Sequence, residues 1–290
     1  MRPWYGTAIV VAICCLSACT ERAAPDQAEG ARPRLVVLAP NLAELVFAAG
    51  AGETLVGASA YSDFPPAALE LPVVGDAFTV DHEQLALLRP DILIAWQSGT
   101  PSHVVDELRA MGYRVEVLET RQFDDIAAAL RRIGELTGHS DQAERAARDF
   151  QAELQSIGAA HAGADEISVF YQVSARPLYT VNGEHYVSEL IELCGGRNVF
   201  ADLGELAPAV DVEAVVGRDP EVMLASTDAG SAAFEVWSRW PQIAANRYAN
   251  HYLMPADEIG RATPRLAKAA RAVCAALDHG RQRKAATLAP

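Results

Sequence analysis

The sequence predicts an α/β fold: two layered lobes built on parallel sheets, one on either side of a long helix. Three observations carry that expectation. Short apolar runs alternate with segments of helical spacing along residues 34–138 and again after residue 163, the pattern of strand–helix–strand units. Between the two series lies "SDQAERAARDFQAELQSIGAA" (140–160), rich in Ala, Glu, Gln and Arg with apolar residues at helical spacing. As a helix it would be about 30 Å long at about 1.5 Å per residue. Finally, "VDHEQLALLRPDILIA" (80–95) reads almost like "VDVEAVVGRDPEVMLA" (210–225), as two halves of one duplicated plan would.

The elements follow in order. Residues 1–19 place one arginine before a short apolar run that meets small residues, the form of a secretory signal, and the run is too short to span a bilayer. Its end, Leu16-Ser17-Ala18-Cys19, looks like a bacterial lipobox, in which the peptide is cut before Cys19 and the thiol carries lipid. An ordinary signal with incidental cysteines is the alternative. Residues 20–33 are polar and rich in Pro, Gly and Ala, and read as a flexible tether. The N-terminal lobe spans 34–138. It opens with the β-rich "RLVVLAP", after which Asn41, Glu44 and Gly50 fit a helix N-cap, its capping-box partner and a C-terminal stop. Strands are expected at "TLVGAS" and at "DILIAW" (91–96), a continuous apolar run of the buried parallel type. A helix over 102–111 stops at Gly112, a strand covers 114–119 and a helix covers 123–138. The linking helix takes 139–163. The C-terminal lobe, 164–279, has strands at "ISVFYQV" (167–173) and "EVMLAS" (221–226), and helices over 184–193 and 263–277. Residues 280–290 read as a frayed tail.

The repeat has a local logic. In each copy an aspartate (Asp81, Asp211) can cap a helix, a glutamate (Glu83, Glu213) falls in the first turn, and a proline (Pro90, Pro220) ends the helix before an apolar strand. The helix dipole favours acids there and is alone sufficient to explain both glutamates. The alternative is that each lobe presents one acid at a matching place, a two-point dock for a symmetric partner.

Composition narrows the function. With 50% hydrophobic and 21% charged residues, 290 positions can fill two cores. A net charge of −14 lacks the basic footprint of a nucleic-acid binder. With Cys14 and Cys15 in the signal and Cys19 lipidated, Cys194 and Cys274 remain, and an even count in an exported chain suggests a disulfide. Two buried free thiols are the alternative. The histidines are scattered without an H-x-x-x-H pair, so a metal-ion binding protein is a weak competitor. No G-x-S-x-G elbow, G-x-x-x-x-G-K loop or helix-opening G-x-G-x-x-G occurs, so neither an enzyme nor a cofactor is expected.

The stretches "NLAELVFAAG", "GASAYSDFPP", "LRPDILIAW", "LYTVNGEHYVSELIELCGGRNVF" and "GRATPRLAKAARAVCAAL" are spread over residues 34–277. Together they resemble the helix-linked periplasmic substrate-binding proteins of bacterial ABC importers for cobalamin and iron chelates. The resemblance implies a monomer of two Rossmann-like lobes with a ligand cleft between them and limited hinge motion. It implies that Glu83 and Glu213 pair with arginines on the two copies of a permease, and that Cys194 and Cys274 are bonded. For the ligand, Tyr61, Trp96 and Tyr179 match cleft aromatics, and Asp257 and Arg261 match a polar pair at the cleft. Tyr179 stands where the cobalamin-binding members have phenylalanine. Ala77 and Ala207 stand where those members have cleft tryptophans, and Phe78 beside Ala77 compensates in part. A corrin is broad and amphipathic, so flat aromatic walls with a few polar anchors suit it. The expectation is a lipid-anchored protein on the periplasmic side that delivers cobalamin or a related corrinoid to an ABC importer. Haem or a ferric siderophore is the alternative ligand for a reshaped cleft. Without the resemblance, Trp96 is equally a core residue, Tyr61 a loop residue before Pro65-Pro66, and Asp257 with Arg261 a surface pair. Trp237 and Trp240 read as packing or rim residues.

Overall fold

The computed structural model describes Met1 and residues 32–76, 78–230 and 232–289. The expected signal after Met1, Cys19 with its expected lipidation, most of the tether, and Ala77 lie outside the described residues. The first lobe runs β1 (Leu35–Val37), α1 (Pro40–Ala48), β2 (Leu55–Ala58), α2 (His82–Leu88), β3 (Ile92–Trp96), α3 (Ser102–Ala110), β4 (Val115–Leu118) and α4 (Phe123–Thr137). Its strands are all parallel, in the order β2-β1-β3-β4. The long helix α5 (Ser140–His161) follows. The second lobe opens with β5 (Ile167–Gln172) and a small antiparallel hairpin, β6 (Ser174–Ala175) with β7 (Leu178–Tyr179). Then come α6 (Tyr186–Leu193), β8 (Gly196–Asn198), α7 (Val212–Arg218), β9 (Val222–Ser226), α8 (Ala244–Arg247), β10 (His251–Met254), α9 (Ala256–Ile259) and α10 (Leu266–Leu288). The second sheet is again parallel, in the order β10-β9-β5-β8.

Read from its other edge, the second sheet repeats the first. β5 occupies the place of β1, β8 that of β2, β9 that of β3 and β10 that of β4. The duplication seen in the repeated segment therefore extends to the whole strand order. The repeated helices match in detail. Asp81 caps α2 by accepting from the Gln84 amide at 2.9 Å, and Asp211 caps α7 by accepting from the Ala214 amide at 2.7 Å. Both helices end in a left-handed residue, Arg89 (φ 46°) and Asp219 (φ 43°), immediately before the proline. A residue before proline is disfavoured in the right-handed helical region, so the helix cannot run on and the chain turns into the strand.

Each sheet has one outer face with its own core, around Leu38, Leu85 and Leu93 in the first lobe and around Phe170, Val215 and Trp237 in the second. The inner faces share a single continuous core that takes in α1, α4, α5, α6 and α10. Helix α5 lies at the back of this core. It packs on α4 through the edge-to-face pair Phe123–Phe150 at 6.2 Å and the ion pair Arg131–Glu144 at 2.6 Å. It reaches α10 through Glu153 and Arg271. Cys194, at the end of α6, is bonded to Cys274 in α10, as expected. The shared core leaves little freedom for one lobe to swing on the other, while the disulfide ties two helices within the second lobe.

Some expectations require correction. Helix α1 starts two residues earlier than expected: Pro40 takes the first turn, where its missing N–H costs nothing, and Ala39, not Asn41, is the N-cap, without a side-chain bond. Asn41 and Glu44 are therefore not a capping box; both side chains are buried inside the fold. Residues 280–288 are not a frayed tail, because α10 continues to Leu288. Arg281 holds that end down, donating to the carbonyls of Asp165, Cys194 and Gly195 at 2.6, 2.7 and 3.0 Å, and Lys284 pairs with Glu221. Strands β8 and β10 and the β6–β7 hairpin were not expected.

Candidate functional site

In both sheets the chain leaves the C-terminal strand ends into loops that meet across a seam. Beyond β2, the Arg261 guanidinium of the second lobe donates to Asp63 at 2.6 Å and to the Tyr61 carbonyl at 3.2 Å. Beyond β4, Arg121 faces Glu184 at 3.9 Å, and the Phe123 amide that starts α4 donates to Glu189 of α6 at 2.7 Å. A groove of about 320 Å³ opens here, lined by Glu119, Arg121, Gln122, Asp125 and Glu184. Open α/β sheets bind ligands at this end of their strands.

The predicted aromatic residues stand along these edges. Tyr61 follows β2 and is 81% exposed, in a left-handed conformation (φ 66°) that non-glycine residues rarely adopt. Phe78, 74% exposed, sits in a tight hairpin in which the Asp76 carboxylate accepts from the Phe78 and Thr79 amides, both at 2.8 Å. Those backbone bonds hold the Asp76 carboxyl below its usual range. The hairpin depends on Gly75 (φ 113°), where a Cβ would lie 2.0 Å from the Thr79 carbonyl oxygen. The Ala60 amide donates to the Gly75 carbonyl at 2.7 Å, which ties the Phe78 hairpin to the Tyr61 loop.

Trp96 ends β3 and is half-buried. Its ring lies so close over Gly99 that a Cβ there would sit 2.1 Å from it, and its indole nitrogen has no hydrogen-bond partner among the described residues. Tyr179 ends the hairpin that follows β5 and is 37% exposed. Ala209 bridges to it, and Ala207, two residues before, is exposed. Among the described residues, none of these rings stacks on another.

The polar pair is rearranged. Asp257 is exposed on α9 and makes no bond to Arg261 among the described residues. Arg261 binds Glu44 at 2.8 Å and Asp63 instead, and the Asp63 carboxyl is held below its usual range, chiefly by the hydrogen bond from Arg261. Glu44, Asp63, Phe64 and Arg265 were missed by sequence reasoning. A carboxylate inside the apolar run "NLAELVFAAG", and arginines four apart at 261 and 265, were the available signals.

Glu83 and Glu213 lie in the first turns of α2 and α7, both exposed and both without an ion pair among the described residues. Trp237 is wholly buried: its indole donates to the Gln172 side chain at 2.9 Å and its ring meets Phe170 edge-on. Among the described residues no group of three His, Cys, Asp or Glu side chains is placed to hold a metal ion.

Two duplicated parallel-sheet lobes on one shared core, joined by one long helix, with aromatic side chains beyond the C-terminal strand ends, define a two-lobed binding-protein fold. The chain belongs to the periplasmic binding protein family, which matches residues 35–258. It is 35% identical over 242 residues to the vitamin B12-binding protein of Vibrio cholerae, covering 83% of this chain and 87% of that one. It is 34% identical to the vitamin B12-binding protein of Pectobacterium carotovorum, covering 84% and 88%. The crystal structure of the periplasmic vitamin B12 binding protein of Vibrio cholerae superposes with a TM-score of 0.79 at 33% identity, over 87% of this chain and 98% of that one. A periplasmic haem-binding protein in complex with two haems reaches a TM-score of 0.75 at 23% identity, over 86% and 98%, a likeness of fold.

Proposed function

We propose that this chain captures cobalamin or a related corrinoid in the cleft and delivers it to an ABC importer, as an exported protein anchored by lipid at Cys19. The observation that carries the reading is the set of aromatic side chains beyond the C-terminal strand ends, the exposed Tyr61, Phe78 and Tyr179 and the half-buried Trp96, on a frame shared with vitamin B12-binding relatives. A broad, partly apolar ring system needs flat walls that no internal contact has already used. Identity supports a corrinoid over haem, since the likeness to the haem binder is in fold alone. Asp257 supplies a free polar group beside the cleft, whereas Arg261 is committed to Glu44 and Asp63. Glu83 and Glu213, unpaired at matching places on the two lobes, form the dock for the two permease copies. Binding and release of an unchanged ligand requires no catalytic group.

The test is a calorimetric titration of the purified protein with cyanocobalamin, cobinamide and haemin. The expected result is tight one-to-one binding of the corrinoids and weak binding of haemin. Tight haemin binding with no corrinoid binding would overturn the ligand and leave the transport role.

A further inference from the structure

We propose that Glu44 is a positioning residue for the cleft: acting through Arg261 and Arg265, it holds Tyr61 and Phe64 on the rim of the first lobe and pins the second lobe to them. Glu44 lies in the first turns of α1 and is 3% exposed. Every partner of its carboxylate comes from the opposite lobe. One oxygen accepts from Arg261 at 2.8 Å and Arg265 at 3.1 Å; the other accepts from the Thr263 hydroxyl at 3.0 Å.

Both arginines return to the first lobe. Arg261 takes Asp63 at 2.6 Å and the Tyr61 carbonyl at 3.2 Å. The Arg265 guanidinium lies 4.2 Å from the centroid of the Phe64 ring. Glu258 and Lys268 complete the cluster, with Glu258 3.5 Å from Arg265 and 2.7 Å from Lys268. Three acids thus face three bases, and Glu44 is the most buried of them. A buried carboxylate that satisfies two guanidiniums at once fixes both in direction as well as in charge.

The consequence is at Tyr61. A non-glycine residue in a left-handed conformation persists only where its surroundings over-determine it. Here the surroundings are the Ala60 bond to Gly75 on one side and the Arg261 bond to the Tyr61 carbonyl on the other. Glutamine at position 44 keeps the size of the side chain but removes the charge that orients Arg261 and Arg265. Asp63 and Glu258 still neutralise the two arginines, so the fold is retained while the rim loses its anchor.

The experiment has two arms. In the first, hydrogen exchange of the full chain without ligand is compared between wild type and Glu44→Gln. The expected result is exchange about tenfold faster in peptides covering 59–66 and 258–265, with the strands of both sheets unchanged. Unchanged exchange, or an equal rise everywhere, would overturn the proposal. In the second, cyanocobalamin affinity is measured in a double-mutant cycle with Tyr61→Ala. Glu44→Gln should cost about tenfold when Tyr61 is present and less than about twofold when it is absent. Equal losses in both backgrounds would show that Glu44 does not act through Tyr61. This arm rests on the corrinoid reading. If wild type binds no cyanocobalamin, that reading fails, and the exchange arm still decides the role of Glu44.

Discussion

Trp96 is open to two readings from sequence, a cleft wall or a core residue, and its half-buried position at the end of β3 is compatible with either. The side chain packs against the central core with its ring close over Gly99, and its indole nitrogen is buried without a hydrogen-bond partner among the described residues. Replacing it by alanine should therefore weaken corrinoid binding about tenfold or more, since a well-placed aromatic anchor is worth about 2 kcal/mol or more. A lowered melting temperature with unchanged affinity would make the residue structural. His185 gives a second prediction at this scale. Its Nδ1 accepts from the Val187 amide at 3.2 Å and caps α6, and burial pulls its pKa down to about 4. The folded protein then keeps the ring neutral while the unfolded chain takes up a proton near the ordinary histidine value of 6.5. This contribution is complete above pH 6.5 and is lost as the pH falls toward 4, at no more than about 1.4 kcal/mol per pH unit. His185→Asn keeps a capping oxygen and removes the titration, so its unfolding midpoint should fall less between pH 7 and pH 5 than that of wild type. Identical pH profiles would remove His185 from the acid limb. Neither the Trp96 contacts nor the His185 burial was visible in sequence, because residue type states what a side chain can do and tertiary packing decides which of its atoms are left free.

Elements defined by local signals were legible. Asp81 and Asp211 cap their helices as read, because an N-cap bond spans only a few residues, and Pro90 and Pro220 end them because proline restricts its immediate neighbour. Elements held by distant partners were not. Strand β8 is three residues, Gly196–Asn198, with no apolar alternation, and it is recognisable only beside β5. The last turns of α10 are polar and became helical because Arg281 and Lys284 find partners more than fifty residues away. The misread of Asn41 and Glu44 has the same origin: the spacing of a capping box was present, but Pro40 started the helix early and the far lobe claimed the carboxylate. The bond between α6 and α10 carries a prediction at this scale. It closes a loop of 80 residues, which constrains the unfolded chain. Cys194→Ser with Cys274→Ser should lower stability by about 4 kcal/mol on the chain-entropy account. Denaturant unfolding checks this, and a loss below about 1 kcal/mol would mean that the shared core already restrains the two helices.

At the scale of the molecule, the strand orders make the two lobes copies of one design, and the duplicated glutamates are where the proposed docking to a partner is tested. Glu83 and Glu213 occupy the same turn of equivalent helices, follow equivalent aspartate caps and form no ion pair among the described residues. The dipole explanation accounts for their being tolerated; it does not distinguish a helix that docks from one that does not. Docking, as proposed, adds a reason for the matching positions: two lobes on a shared core keep two exposed acids at a set separation, and a two-point contact gains from such rigidity by making the second contact intramolecular. Beyond the acids the copies differ: Leu87, one turn after Glu83, is 71% exposed, whereas the matching position is Gly217, with open space around it. Glu83→Ala and Glu213→Ala should each weaken binding of the ligand-loaded protein to its permease in lipid nanodiscs by about tenfold, and together by far more, as loss of both halves of a bivalent contact requires. Ligand affinity should not change in any of the three variants. Raising the salt should weaken the wild-type complex and leave the double variant nearly indifferent, because the exposed acids are the groups that added ions screen. If the single variants bind as wild type does, the acids serve their helices alone. If one variant loses docking and the other does not, the lobes are copies in fold while only one of them carries the contact.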